Sequence, residues 1–522
     1  MKRTQLITYA GWGLWIVAVA ALVALHALHL RADFPNYSPW MDYSKYTDEG
    51  WYGKAAIEHY LLGSWYVHGD FNPSVALPVL PALEWIVFRF TGVSLIAARL
   101  IILAAFALDV LLSYFLVRTQ APRWAAMLAA TLLAVNPFLY AFSRLAILEL
   151  LLVLFLLASW LLALQLTSMR DTAQRMLAVT GIGLLLCLMV LTKTTAIFIA
   201  PSTLFLIWHS YGYKWRESVK AIFGALAAAG AAWGFYYLLC VHPHYVFDYH
   251  YLFAVNKWEQ PVTFAGWIAA FWYAFHGIFW MGSALCILAL TLLALSTWLF
   301  RGFWKNPLLS ASLLAIAGYV FFIGWHNNMQ PRYYQVVVFP VVFSVAIGLH
   351  SLLQAKPSGR LTRSLRWLLA AACIAAIAIS SAADLKQVSH WMRHPQYSWI
   401  NAEIALTRYI DTHPNGNRLL LSISGDNITL ATHLPAICDD FGTWDLPLRI
   451  HRYQPGWYAA WNEIDPGTLV DLKTQYSLEQ VATFPAFDDP DRNQLILYKL
   501  HPLPISKQTY DEAMEEAGNA GR

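Results

Sequence analysis

Two adjacent carboxylates carry the first chemical signal of this chain. Asp48 and Glu49 stand in Tyr46-Thr47-Asp48-Glu49-Gly50-Trp51-Tyr52, shortly after the first apolar run. Acids beside hydrocarbon are costly, and membrane proteins keep them for chemistry or transport. On a helix, neighbouring residues point about 100° apart, so these two do not form a cooperating acid/base pair. One is expected to face a substrate and the other to hold structure or a metal. The plainer reading is that Asp48 caps a helix and Glu49 occupies its favourable first turn.

Other polar groups stand at the ends of later apolar runs. Ser143, Arg144 and Glu149 lie in Asn136-Pro137-Phe138-Leu139-Tyr140-Ala141-Phe142-Ser143-Arg144-Leu145-Ala146-Ile147-Leu148-Glu149. Lys193, in Thr192-Lys193-Thr194-Thr195, separates two apolar runs with almost no loop. Arg332 and Tyr333 lie in Gln330-Pro331-Arg332-Tyr333-Tyr334. Arg144 and Arg332 would equally suit snorkelling to lipid headgroups. His242, His244 and His250, near Asp248 and Lys257, lack the spacing of a helical metal pair and read as interfacial loop residues.

Acids and cations on one membrane face suit transfer from a phosphate-linked donor. A carboxylate takes the proton of an attacking hydroxyl. Cations or a metal ion stabilise charge on the departing phosphate. A lipid-anchored donor keeps its tail in hydrocarbon and its phosphate at headgroup depth, which explains why the groups sit at the bilayer surface.

The elements that must position these residues are membrane helices. The chain has 522 residues, 58% hydrophobic and 13% charged, about half the charge content of soluble proteins. Its apolar runs last about 20 residues without alternating, so helices span the bilayer. The spans expected from length and loop charge are about 7–30, 94–117, 124–140, 146–167, 176–193, 195–210, 220–240, 274–299, 307–325, 333–354 and 367–385, about 11 in all. The loops then assigned to the inside carry the clustered Lys and Arg, from Lys2 and Arg3 to Arg360, Arg363 and Arg366. Counting Ala76–Phe90 as a span would invert this bias, so that segment is expected to lie at the outer interface. The first outer loop is therefore residues 31–91. The N-terminal run is too long for a typical signal region and is read as a retained helix.

After about Asp384 the composition becomes that of a soluble α/β unit, giving a 1–385 transmembrane catalytic domain and a 386–522 extracytoplasmic domain. Strands are expected at Asn417–Ile423, Gly456–Trp461 and Gln494–Lys499, with turns at Gly425-Asp426-Asn427 and Asp488-Asp489-Pro490. Helices are expected over about 397–412 and 465–473. The 24 tryptophans suit interfacial belts or sugar-stacking surfaces alike. Five cysteines form no disulfide framework. The net charge of +4 is mild, and no nucleic-acid partner is expected.

The ordered set of motifs resembles the GT-C polytopic glycosyltransferases, in the branch of the dolichyl-phosphate-mannose protein mannosyltransferases and the bacterial lipid A aminoarabinose transferase. The resemblance rests on Asp48-Glu49 after the first span, Asn72-Pro73, Ser143-Arg144 with Glu149, Leu191-Thr192-Lys193, and Pro331-Arg332-Tyr333 leading to Val338-Phe339-Pro340. It covers roughly residues 1–355. It implies that Asp48 is an inverting base and that Glu149 occupies the place of a second acid, usually Asp. It also implies that Lys193 and Arg332, with Arg144 and Tyr333, hold the donor phosphate. Family members often carry paired prolines where this chain has Pro73-Ser74.

The expected function is inverting transfer of a sugar from a polyprenyl-phosphate donor to an acceptor hydroxyl of a lipid, glycan or protein. The site is expected at the periplasmic or equivalent outer face of an inner or plasma membrane. A divalent metal ion is left open as a cofactor, because no ligand set has metal-binding spacing. The alternative is a transporter or flippase for lipid-linked saccharides, which would place charges at the bilayer midplane in two related halves. The early cluster of acids at one surface disfavours it. A glycan polymerase or ligase would put its chemistry in a large late loop, and the late loops here are short. A scaffold for the tail domain would leave Lys193 unexplained.

Overall fold

The computed structural model describes residues 3–35, 40, 42, 45–65, 72–255, 261–356, 360–438, 446–486 and 493–504. Helix α1 (Arg3–Leu25) is followed by α2 (Asp48–Leu62), α3 (Val79–Thr91), α4 (Leu95–Gln120), α5 (Arg123–Val135), α6 (Pro137–Phe142) and α7 (Glu149–Gln165). Next come α8 (Thr172–Thr192), α9 (Ala200–Ser210), α10 (Trp215–Tyr236), α11 (Val246–Val255), α12 (Phe264–His276), α13 (Ser283–Leu299), α14 (Pro307–His326), α15 (Gln335–Gln354) and α16 (Arg360–Arg393). The tail carries α17 (Ser398–Thr412), α18 (Gly425–Thr432), α19 (Leu446–Tyr453) and α20 (Pro466–Gln475). Its strands are β1 (Leu420–Ser422), β2 (Ala436–Ile437), β3 (Trp457–Trp461), β4 (Tyr476–Pro485) and β5 (Gln494–Pro502).

Six of these helical segments are long and apolar enough to cross a membrane, or seven if one bent pair counts as a single span. Shorter apolar helices, among them α5 and α7, lie between them. The protein is a multi-pass membrane protein. Burial along the spans decides which helix is central. The apolar window of α15 is 89% buried, whereas that of α10 is 6% buried, so α10 turns its side chains outward and α15 forms the core. Close crossing replaces hydrophobic drive between membrane helices. A side chain at Gly183 of α8 would collide with the Ala225 carbonyl of α10.

Three segments differ in detail from the spans expected above. The stretch around 124–140 is divided by Asn136 and Pro137, with the Asn136 carboxamide accepting the Leu139 N–H to cap α6. Proline at the first helical turn starts a new helix more readily than it continues an old one. The segment expected at 274–299 continues a helix that begins at Phe264 and is bent by 109°. The bend falls at Gly282, whose φ of 124° is open to glycine alone. Helix α16 runs past Asp384 to Arg393.

The first outer loop folds as α2, a 3-10 turn at Pro73–Val75 and α3. Glu84 of α3 is fully buried and faces Gly53 of α2. Among the described residues neither of its oxygens has a hydrogen-bond partner. Burial, reinforced by the nearby Glu49 charge, holds its carboxyl well above the usual range.

The tail forms a five-stranded sheet of order β2-β1-β3-β5-β4. β1 pairs in parallel with β2 and β3, while β3–β5 and β5–β4 are antiparallel. Leu420 and Leu421 are both buried because helices cover both faces there, so the strand shows no alternation. The Gly425-Asp426-Asn427 sequence, expected as a turn, begins α18. The turn expected at Asp488-Asp489-Pro490 and Lys257 lie outside the described residues. The sheet unit is tied to the membrane part by Asp33, whose carboxylate accepts the Trp399 and Ile400 N–H groups at 2.8 and 3.1 Å. These are free donors at the start of α17, and a carboxylate there also meets the favourable end of the helix dipole.

Candidate functional site

Asp48 is the first residue of α2, and Thr47 donates its hydroxyl to Asp48 Oδ1 at 3.0 Å. Oδ2 faces Arg332 Nη2 at 3.1 Å. Arg332 lies in a 3-10 turn (Pro331–Tyr334) at the head of α15, where Asp42 fixes it. The Asp42 carboxylate accepts the Arg332 backbone N–H at 2.8 Å and its Nη1 at 2.5 Å. Burial raises the Asp48 carboxyl above its ordinary range. The Arg332 guanidinium opposes this, and the Asp42 charge adds to it.

A second ion pair stands beside the first. Glu149 opens α7 with its side chain fully buried, and its carboxylate pairs with Lys193 at the end of α8. Lys193 takes extended backbone between α8 and a 3-10 turn, and this break aims its side chain inward. The Tyr333 ring links the two pairs: Lys193 Nζ lies 4.2 Å and the Arg332 guanidinium 5.2 Å from its centre. Asp48 is within electrostatic reach of both Glu149 and Lys193. The structure therefore brings Asp48, Glu149, Lys193, Arg332 and Tyr333 together.

Glu49 and Arg144 lie elsewhere. Glu49 points away from Asp48, as rotation along the helix requires, and forms a bidentate pair with Arg99 of α4 at 2.8 and 2.6 Å. It also accepts the Ala146 N–H at 2.8 Å, and Arg99 donates to the Leu30 and Ala32 carbonyls. Arg144 donates to the Leu28 and His29 carbonyls at 2.6 and 2.5 Å and to the Tyr140 hydroxyl at 2.8 Å. These carbonyls follow the end of α1, where acceptors lack helical partners. Both residues thus hold structure around the site and do not enter it.

The Glu49–Arg99 pair carries a stability prediction. Removing one partner of a buried pair leaves an uncompensated charge, at a cost of about 3–5 kcal/mol. Arg99→Met is expected to lower the thermal unfolding midpoint in detergent sharply, and Arg99→Met/Glu49→Gln to recover most of the loss. Equal midpoints for single and double variants would contradict the pairing.

Three site residues were not singled out for a role by sequence reading: Asp42, Tyr52 and Tyr319. Tyr52 follows Asp48 by four residues, so helical spacing places both on one face. It is buried within reach of the Asp48, Arg332 and Glu149 charges. Burial, then the Asp48 charge, pushes its phenol well up. Tyr319, on α14, has its hydroxyl 3.4 Å from that of Thr195, and nothing in its apolar surroundings marks it.

A divalent cation needs several oxygen ligands at once. Among the described residues no group of three or more His, Cys, Asp or Glu side chains lies together to hold one. Each acid of the cluster already faces Lys193 or Arg332. The described residues do not fit a metal ion.

Comparison with known proteins adds family and fold. Residues 73–236 match the family model described as dolichyl-phosphate-mannose-protein mannosyltransferase. Comparison with curated protein sequences gives no match. The fold is similar to crystal structures of ArnT from Cupriavidus metallidurans, one bound to undecaprenyl phosphate (TM-score 0.60) and one in the apo state (TM-score 0.61). In both the identity is 13%, over 94% of this chain and 98% of ArnT. It is also similar to the Archaeoglobus fulgidus oligosaccharyltransferase, with a TM-score of 0.52 and 14% identity over 92% of this chain and 76% of that one. Another structure of that oligosaccharyltransferase is a complex with zinc and sulfate. The family match is confined to residues 73–236, whereas the fold shared with ArnT extends along nearly the whole chain.

Proposed function

We propose that this protein transfers a sugar, with inversion, from a polyprenyl-phosphate donor to an acceptor hydroxyl at the outer face of the membrane. The observation that carries this reading is the ion pair of Asp48 with Arg332 within electrostatic reach of Lys193, three residues from separate parts of the chain. Asp48 takes the proton of the attacking hydroxyl. The hydroxyl oxygen bonds to the anomeric carbon, and the carbon–phosphate oxygen bond breaks with its electron pair leaving on the phosphate. Lys193 and Arg332 stabilise that charge in a site from which water is excluded. Glu149 pairs with Lys193 and holds it in place, and Tyr333 lies against both cations. The polyprenyl tail rests along the apolar outer face of the helices, with the phosphate at headgroup depth. Arrangement of the site at the non-cytoplasmic surface agrees with the basic inner loops.

The test is transfer by the purified full-length protein supplied with radiolabelled polyprenyl-phosphate sugars, alongside mass spectrometry of lipids and glycans from a deletion strain. The expected result is one missing sugar in the strain and transfer of that sugar in vitro. A strain that loses no sugar, together with no transfer from any polyprenyl-phosphate sugar, would overturn the reading.

A further inference from the structure

Asp48 lies between residues that two different parts of the molecule hold in place. On one side, Glu49 is fixed to α4 through Arg99. The residues two before and two after Asp48 are held by the sheet unit instead. Tyr46 is 1% exposed and sits in that unit's core, its ring 5.8 Å from Trp399 and 5.3 Å from Trp461. Gly50 presses on the first turn of α18. A side chain there would collide with the backbone of Asp426 and Asn427. One turn further along α2, Lys54 Nζ lies 3.5 Å from Asp426 Oδ1. Behind the contact, Asn427 donates its side-chain N–H to Glu403 of α17 at 2.8 Å.

We propose that the sheet unit is a clamp that sets the position of Asp48, with Tyr46 and Gly50 as its positioning residues. This rests on the reading of Asp48 as the base. A base must lie within hydrogen-bond reach of its proton, and a displacement of about 1 Å costs about 10²-fold in rate. Lys193 stands at the end of α8 and Arg332 at the head of α15, so a loosened clamp moves Asp48 relative to a donor that still binds. That separates kcat from KM. A role in stability alone would leave turnover per folded molecule unchanged.

The experiment uses the full-length protein with Tyr46→Ala, Tyr46→Phe, Gly50→Ala and Asn427→Ala, reading kcat, donor KM and hydrogen exchange over residues 46–52. Tyr46→Phe keeps the ring and is expected to retain more of the wild-type kcat than Tyr46→Ala. Tyr46→Ala and Gly50→Ala are expected to lower kcat about 10²-fold with donor KM unchanged, and to speed exchange over 46–52. Asn427→Ala is a milder variant that inserts no clash and should move both readouts in the same direction. If the alanine variants leave exchange over 46–52 unchanged, the clamp is refuted whatever their activity. If exchange rises while folded variants keep wild-type kcat, the positioning role is refuted. If exchange rises but the wild type itself transfers no sugar, the transferase reading fails and the clamp on α2 stands.

Discussion

Asp48→Asn is expected to reduce sugar transfer by about 10²–10⁴-fold, the usual contribution of a general base, while the protein purifies and unfolds like wild type. The substitution keeps the shape of the side chain and removes only its basicity. Arg332 retains Asp42, so no buried cation is left alone. Donor affinity should change little, because phosphate is held by the cations. The pH profile gives an independent measurement. A base works only when unprotonated, so transfer falls as pH drops through its pKa. Burial raises the Asp48 carboxyl, which places the acid limb of kcat above the ordinary carboxylate value of about 3.9. The Arg332 guanidinium lowers it, so Arg332→Gln at saturating donor should move the limb to still higher pH. Full activity in purified Asp48→Asn would eliminate Asp48 as the base.

Lys193→Met is expected to lower kcat/KM for the donor by about 10²–10³-fold, as for loss of one group that stabilises developing negative charge. Acceptor KM should stay near wild type. The single variant also strands the Glu149 carboxylate, fully buried and paired with Lys193. Stranding a buried charge costs about 3–5 kcal/mol, so reduced activity in this variant alone would confound binding with folding. Lys193→Met/Glu149→Gln removes both charges. It should regain most of the thermal stability without regaining donor affinity. Restored donor affinity in the double variant would contradict a phosphate role for Lys193 and assign the residue to structure.

How much of this was legible beforehand differs by residue. Lys193 stood out because a cation between two apolar runs has no cheap explanation. Asp48 and Glu49 read as a pair with divergent directions, and helical rotation does send one to Arg332 and the other to Arg99. Which acid took which partner was not legible, since Arg99 is one cation in an apolar helix with no local sign of its partner. Arg144 carried the same signal as Arg332, a cation near the end of an apolar run that would suit snorkelling. Only the neighbouring end of α1 distinguishes them, by offering Arg144 unpaired carbonyls. In the tail, α18 was hidden behind Gly425-Asp426-Asn427, which favours turns locally. Packing of that segment against α2 and the sheet overrides the preference.

By itself, the sequence determined that the chain spans a membrane with helices, that an α/β unit follows, and that acids and cations accumulate near the ends of spans. Those features follow from run length, alternation and charge, which are local along the chain. Tertiary structure alone decided which charges meet. Asp42 and Asp48 share one segment, but Glu149, Lys193 and Arg332 are far from it and from each other in sequence, and helix packing sets their contacts through shapes that no short window contains. It also decided that α18 closes on Gly50 beside Asp48, because a contact between backbones leaves no trace in sequence beyond a single glycine.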